Sequence, residues 1–130
     1  MLKEKALKPT ESELEILSVL WDLKKASVRM VHEKLSEHKD SGYTTTLKLM
    51  QIMHEKKLVT RDDSSKSHIY EPAVSKENTQ HQFLHRMIDN LFSGSSTELV
   101  LQALGHQNTT QEELLKIEAL IKTLKSKQKA

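Results

Sequence analysis

Cysteine is absent from the chain. That excludes disulfides, zinc–thiolate centres and cysteine nucleophiles, and it permits a reducing compartment. Aromatic residues make up only 4% of the 130 residues and the whole hydrophobic set 36%. So few large apolar side chains do not fill one big core. The composition points instead to an elongated, helix-rich molecule that completes its burial by oligomerising. No apolar run approaches the roughly 20 residues of a membrane span. The opening MLKEKALKPTESE also lacks the continuous apolar core of a secretory signal. The expectation is a soluble, cytoplasmic protein without membrane insertion. A large excess of one charge is missing too: the formal net charge is +2. Nucleic-acid binding therefore has to come from local clustering. There is no glycine-rich phosphate loop and no paired acid–base signature, so no enzyme activity and no cofactor is expected.

What is present begins with a well-marked helix, PTESELEILSVLWDL. Thr10 stands as N-cap with Glu13 three residues later, the spacing of a capping box. Glu11, Glu13 and Glu15 suit the positive helix end. Leu14, Leu17, Leu20 and Trp21 form its apolar stripe, with Trp21 read as a core anchor. After the break KKA, Ser27 opens a second helix, SVRMVHEKLSEH, with Val28, Val31 and Leu35 on one face. KDSG is a turn. A third helix follows from a cap at Ser41 or Gly42 to about Lys57. Then the period changes: KLVTRDD and SHIYEPAV read as strands around the turn SSK, the second closed by Pro72. Three helices and a two-stranded hairpin, with a short link between helices two and three, is the order of a winged helix-turn-helix.

Beyond Ser75 the chain is helical again. One helix carries Phe83, Leu84, Met87, Ile88, Leu91 and Phe92 and stops at Gly94; a short amphipathic helix, SSTELVLQALG, follows. The last helix starts at Thr109 or Thr110 and presents Leu114, Ile117, Ile121 and Leu124 three or four residues apart, the seam of a helix packed on another helix. Intramolecular packing onto the first domain would cover this seam; a second copy of the chain in a two-fold dimer covers it better, because the helix is polar elsewhere. The expected dimer residues are Phe83, Met87, Leu91, Leu99, Val100, Leu104, Leu114, Ile117, Ile121 and Leu124. The fold class expected is mostly α with a small β-hairpin: a winged-helix DNA-binding domain over 1–74 and a three-helix dimerisation domain over 75–130.

The third helix, within SGYTTTLKLMQIMHEKKLV, carries the functional signal. With Thr46, Leu49, Met50 and Met53 inward, the other side holds Thr44, Thr45, Leu47, Lys48, Gln51 and Glu55. Short hydroxyls, an amide and a lysine suit the major groove, where threonine meets base edges and the thymine methyl. The helix N-terminus attracts phosphate, and Tyr43 has a hydroxyl for the backbone. The bland alternative is a solvated face of an ordinary bundle. Lys48, Lys56, Lys57 and Arg61 oppose only Glu55 in this stretch. Lys66 falls at the wing tip and Arg29 opens the second helix, both within reach of phosphates. Asp62 and Asp63 oppose such contacts unless the hairpin turns them outward. Among seven histidines, His81 and His85 stand four apart on one helical face, with Asp89 a turn further on, a geometry that suits a metal. Two rival readings follow: a metal-responsive regulator using His81 and His85, and a winged helix that binds protein.

The segments PTESELEILSVLWDL, SVRMVHEKL, YTTTLKLMQIMHEKKLV, IYEPAVS and LVLQAL, in order from about Leu7 to Leu124, resemble the penicillinase-repressor family of winged-helix regulators, which includes methicillin-resistance and copper-responsive repressors. The resemblance implies a homodimer that binds a palindromic double-stranded operator and blocks transcription, the third helix in the major groove and the wing along the backbone. It places DNA-facing positions at Tyr43, Thr44, Thr45, Leu47, Lys48 and Gln51, with Lys66 on the wing. Leu47 and Ile52 stand where polar or basic residues are common in that family. Lys57 replaces its usual helix-exit glycine, where a positive φ would strain a larger residue. In the β-lactam-responsive members a membrane sensor protease triggers cleavage in the dimerisation part. The matching bond here is Gln102–Ala103, without the characteristic asparagine–phenylalanine pair. The cysteine switch of the copper-responsive branch has no counterpart.

Overall fold

The computed structural model describes residues 8–106 and 108–129. Met1–Leu7, which include most of the stretch read above for a secretory signal, lie outside the described residues, as do Gln107 and Ala130. Among the described residues the order is α1 (Glu11–Leu23), α2 (Val28–Leu35), α3 (Tyr43–Glu55), β1 (Val59–Asp62), β2 (Ile69–Pro72), α4 (Lys76–Leu91), α5 (Ser96–His106) and α6 (Gln111–Lys129). This is the mostly helical, winged helix-turn-helix order that the sequence predicts. The backbone divides into two compact units between Gln82 and Phe83, inside α4.

The first unit is held by one apolar cluster that includes Ile16, Leu17, Leu20, Val31, Met50, Met53, Leu58, Val59 and Tyr70, all buried. Its helices start where the side chains dictate. Thr10 Oγ1 accepts from the Glu13 amide at 3.2 Å, and Glu13 Oε1 accepts from the Thr10 amide at 2.9 Å, completing the capping box of α1. The Glu13 carboxylate is buried, and Lys56 at the exit of α3 donates to it at 2.6 Å. A buried charge persists when it is paired and hydrogen-bonded. Lys56, counted in the sequence among the free charges around the third helix, is thereby committed to α1. The inward stripe of α1 is Ile16, Leu17 and Leu20; Leu14 and Trp21 sit half-buried at its margin. Trp21 packs against the core and its Nε1 donates to the Val74 carbonyl at 3.1 Å, tying α1 to the chain beyond β2.

The end of α3 is a Schellman turn. The Leu58 amide donates to the Met53 carbonyl at 2.9 Å and the Lys57 amide to the His54 carbonyl at 3.1 Å. Lys57 itself lies at φ 68°, the left-handed position usually given to glycine. Leu58 and Met53, the two ends of the motif, are both buried. This geometry directs the chain from α3 straight into β1.

The hairpin pairs Val59 with Pro72, Thr60 with Glu71, Arg61 with Tyr70 and Asp62 with Ile69. Its base is held by three backbone hydrogen bonds. Ala26, in the α1–α2 link, exchanges two backbone hydrogen bonds with Tyr70 (3.0 and 2.8 Å), and the Ala73 amide donates to the Leu58 carbonyl at 2.8 Å. The buried Tyr70 ring fills the space between. The wing is therefore anchored to the same core that orients α3.

In the second unit, α6 is capped by Thr110 and Glu113 in a reciprocal box of 2.9 and 3.1 Å. Its interior is thin. No residue of α5 is buried. Leu91, Leu101, Leu115 and Leu120 are each more than half exposed, and Leu114, Ile121 and Leu124 are exposed as well.

Candidate nucleic-acid interface

Helix α3 presents two unlike sides. Thr46, Met50 and Met53 are buried and Leu49 packs against the core, as the sequence pattern requires. Tyr43, Thr44, Thr45, Lys48 and Gln51 are exposed. Leu47, expected on the outer side, is half-buried and also packs against the core. The N-cap Gly42 supplies no side-chain cap. The first amides of α3 are therefore left for an external acceptor, at the end of the helix where the dipole favours negative charge.

A cleft of about 360 Å³ runs beside this face. Arg29 from the start of α2, Tyr43, Leu47 and Gln51 from α3, and Lys66 and His68 from the wing line it together. Residues far apart in sequence thus converge on one concavity with two cations, a phenol and an amide. Arg29 lies over the Tyr43 ring at 5.9 Å, a cation–π arrangement. His32 meets the same ring edge-on at 5.7 Å. The His32 Nδ1 atom is buried without a hydrogen-bond partner among the described protein atoms. Sequence reasoning gave His32 no role. The available signal was its spacing of three from Arg29, which puts both on one face of α2.

The wing carries its charges unevenly. Lys66 is exposed at the turn, as expected. Arg61 is half-buried and engaged: Nε donates to Asp63 Oδ1 at 2.7 Å and Nη2 to Asp63 Oδ2 at 3.3 Å. Hydrogen bonds to Tyr70 and then Asp63 push the guanidinium further above its already high range. His68 Nδ1 approaches the same Asp63 oxygen at 3.6 Å. Asp62 accepts from the Ser64 amide at 2.9 Å, and this bond holds its carboxyl below the usual 3.8. Both acids thus organise the wing turn.

In the second unit, Phe83, Met87, Leu99, Leu104 and Ile117 are half-buried, whereas Leu91, Val100, Leu114, Ile121 and Leu124 are exposed. Arg86 lies over the Phe83 ring at 4.9 Å. Leu104 and Ile117 line one groove between α5 and α6. Gln102 and Ala103 are both exposed within α5, so the bond between them sits in regular helix. His81 and His85 are exposed on α4, and His85 Nε2 faces Asp89 Oδ2 at 3.3 Å. Among the described residues, no group of three or more histidine, aspartate or glutamate side chains is placed to hold a metal ion. None of the helices among them is long and apolar enough to cross a membrane.

Comparison with known proteins agrees with this architecture. The sequence model of the family described as "Penicillinase repressor" matches residues 9–123. The chain is also similar to the methicillin resistance regulatory protein MecI of Staphylococcus aureus (strain N315), 21% identical over 113 residues that cover 87% of this chain and 92% of the relative. MecI of Mammaliicoccus sciuri is 20% identical over 113 residues with the same coverage.

Proposed function

This chain belongs to the penicillinase repressor family, and from that premise we propose that it is a homodimeric transcriptional repressor whose α3 reads a palindromic operator in the major groove. The observation that carries the reading is the cleft in which Arg29, Tyr43, Gln51 and Lys66 meet beside the exposed Thr44, Thr45 and Lys48. Threonine hydroxyls and the Gln51 amide are the base-reading groups, because they match donor and acceptor patterns on groove edges. Lys48, Lys66 and Arg29 supply sequence-independent attraction to phosphates, and Tyr43 and the uncapped start of α3 fix register. Arg61 joins them once it is released from Asp63.

The dimer half of the proposal rests on the second unit. Burying a leucine or isoleucine stabilises by about 1.5–3 kcal/mol relative to exposure. A second copy covering Leu114, Ile117, Ile121 and Leu124 on α6, and the exposed Leu91 of α4 and Val100 of α5, supplies what one chain leaves open. Joining two readers makes the second half-site contact intramolecular, so each weak contact gains from a raised effective concentration. The dimer seam is then the point of control. Where a membrane sensor protease system acts on the chain, a cut at Gln102–Ala103 would sever α5 and remove α6 from the seam. Such a cut requires α5 to unfold locally first, since the bond lies in regular helix.

The test is Ile117→Asp. The variant is expected to sediment as a monomer and to lose operator affinity by at least tenfold. Unchanged dimer mass with unchanged affinity contradicts the proposal.

A further inference from the structure

We infer that Asp63 is a built-in counter-ion that occupies Arg61 in the free protein and must be displaced by a DNA phosphate, so that it limits sequence-independent binding. The inference rests on the operator-binding reading and adds to it a residue that sets the balance between specific and general contact. The geometry is the argument. Asp63 engages Arg61 through both carboxylate oxygens, at 2.7 and 3.3 Å. A two-oxygen grip on a guanidinium is the arrangement a phosphate also adopts. Asp63 stands one residue beyond β1, on the turn that carries Lys66, and half of its side chain is exposed. Arg61 is the cross-strand partner of Tyr70, a residue of the cleft lining, so it stands next to the cleft without lining it. The carboxylate and an incoming phosphate therefore compete for one set of donors at the edge of the candidate interface. His68 Nδ1 also lies 3.6 Å from the same oxygen, so Asp63 sits between two nitrogen-bearing side chains of the wing.

The consequence is an exchange reaction. An unpaired arginine meeting a phosphate displaces condensed counterions, and each such contact contributes about 0.9 to the slope of log affinity on log salt. Arg61 already holds its counter-anion, so its phosphate contact begins with a broken carboxylate pair. The penalty applies to every duplex alike, because phosphates carry no sequence. Asp63 thus lowers general affinity without altering the base contacts of α3.

The experiment is a double-mutant cycle on the full-length protein with a labelled mixed-sequence duplex, read by fluorescence anisotropy across a salt series. Asp63→Asn keeps the shape and removes the charge. It is expected to tighten binding about five- to tenfold at low salt and to steepen the salt slope by up to about one. In an Arg61→Ala background the same change is expected to do much less, because the pair is already broken. Equal gains in both backgrounds would mean a general charge effect and overturn the inference, as would no gain in either. Thermal melting of each variant separates these outcomes from misfolding; should Asp63→Asn melt early, Asp63→Ser serves with the same expectation. Binding by the parent chain that Asp63→Asn leaves unchanged overturns this inference alone. A parent chain that binds no duplex overturns the operator reading, and this inference with it.

Discussion

Lys57 shows how much one backbone angle matters. A side-chain-bearing residue in the left-handed region costs about 1–2 kcal/mol in crowding against the following carbonyl. Lys57 accepts that conformation because the Schellman turn requires it. Lys57→Gly is expected to stabilise the first unit by about 0.5–1 kcal/mol, since glycine relieves the strain but adds freedom to the unfolded chain. A thermal melt should move up by a few degrees. Glu13 works in the opposite sense. Glu13→Gln leaves the Lys56 ammonium without its counter-charge and is expected to cost about 1–3 kcal/mol, less than a fully buried pair because Lys56 remains a quarter exposed. The urea midpoint reports it. Asp62 adds a pH signature to the wing turn. Its folded value is depressed, so its contribution is fully present above the ordinary aspartate value and is lost as pH falls through the lower folded one. Amide shifts of Ser64 should follow that titration below pH 3.8. At this scale the sequence revealed what is local. The Thr10–Glu13 box follows from spacing, and the positive φ at Lys57 was implied by the family resemblance, in which a glycine usually stands at that helix exit. The Lys56–Glu13 pair spans 43 residues and had no local mark. Neither did the grip of Asp63 on Arg61, since an aspartate two residues from an arginine is as often solvated as paired.

At the scale of elements, the change in hydrophobic period near Val59 made the hairpin legible, and the caps at Thr10, Ser27 and Thr110 made the helix starts legible. The inward face of α3 was readable because Thr46, Met50 and Met53 recur at helical spacing. Leu47 is shared between the core and the cleft lining, because helical spacing assigns an angle, not the depth of a neighbouring cleft. The tertiary anchoring of the wing by Ala26 and Trp21 is likewise absent from any local pattern. These anchors hold Lys66 and Gln51 on one cleft, and that yields distinct expectations for two side chains on α3. Gln51→Ala should relax base preference at one operator position by about 1–3 kcal/mol while leaving the salt slope alone. Lys48→Ala should weaken all duplexes about equally and reduce the slope by about one. Competition assays with single-base operator variants separate the two patterns.

For the whole molecule, composition already pointed to a chain that does not complete its own core, and the exposed leucines of α5 and α6 are the residues responsible. The seam from Leu114 to Leu124 was visible as spacing; the second copy of the chain proposed to cover it leaves no mark in one sequence. The sequence changes character after Val74, and the backbone divides between Gln82 and Phe83, with Thr79 in the first turn of α4 buried within the first unit. The account as a whole stands on a dimer that presents two copies of α3 to a duplex. Its most direct test is the affinity of the intact chain for its promoter-region duplex, followed from low to high salt alongside the mass of the complex. The account predicts two chains per duplex and affinity that falls steeply and linearly on logarithmic axes, with several phosphate contacts' worth of slope. A single chain per duplex, or affinity indifferent to salt, would contradict it.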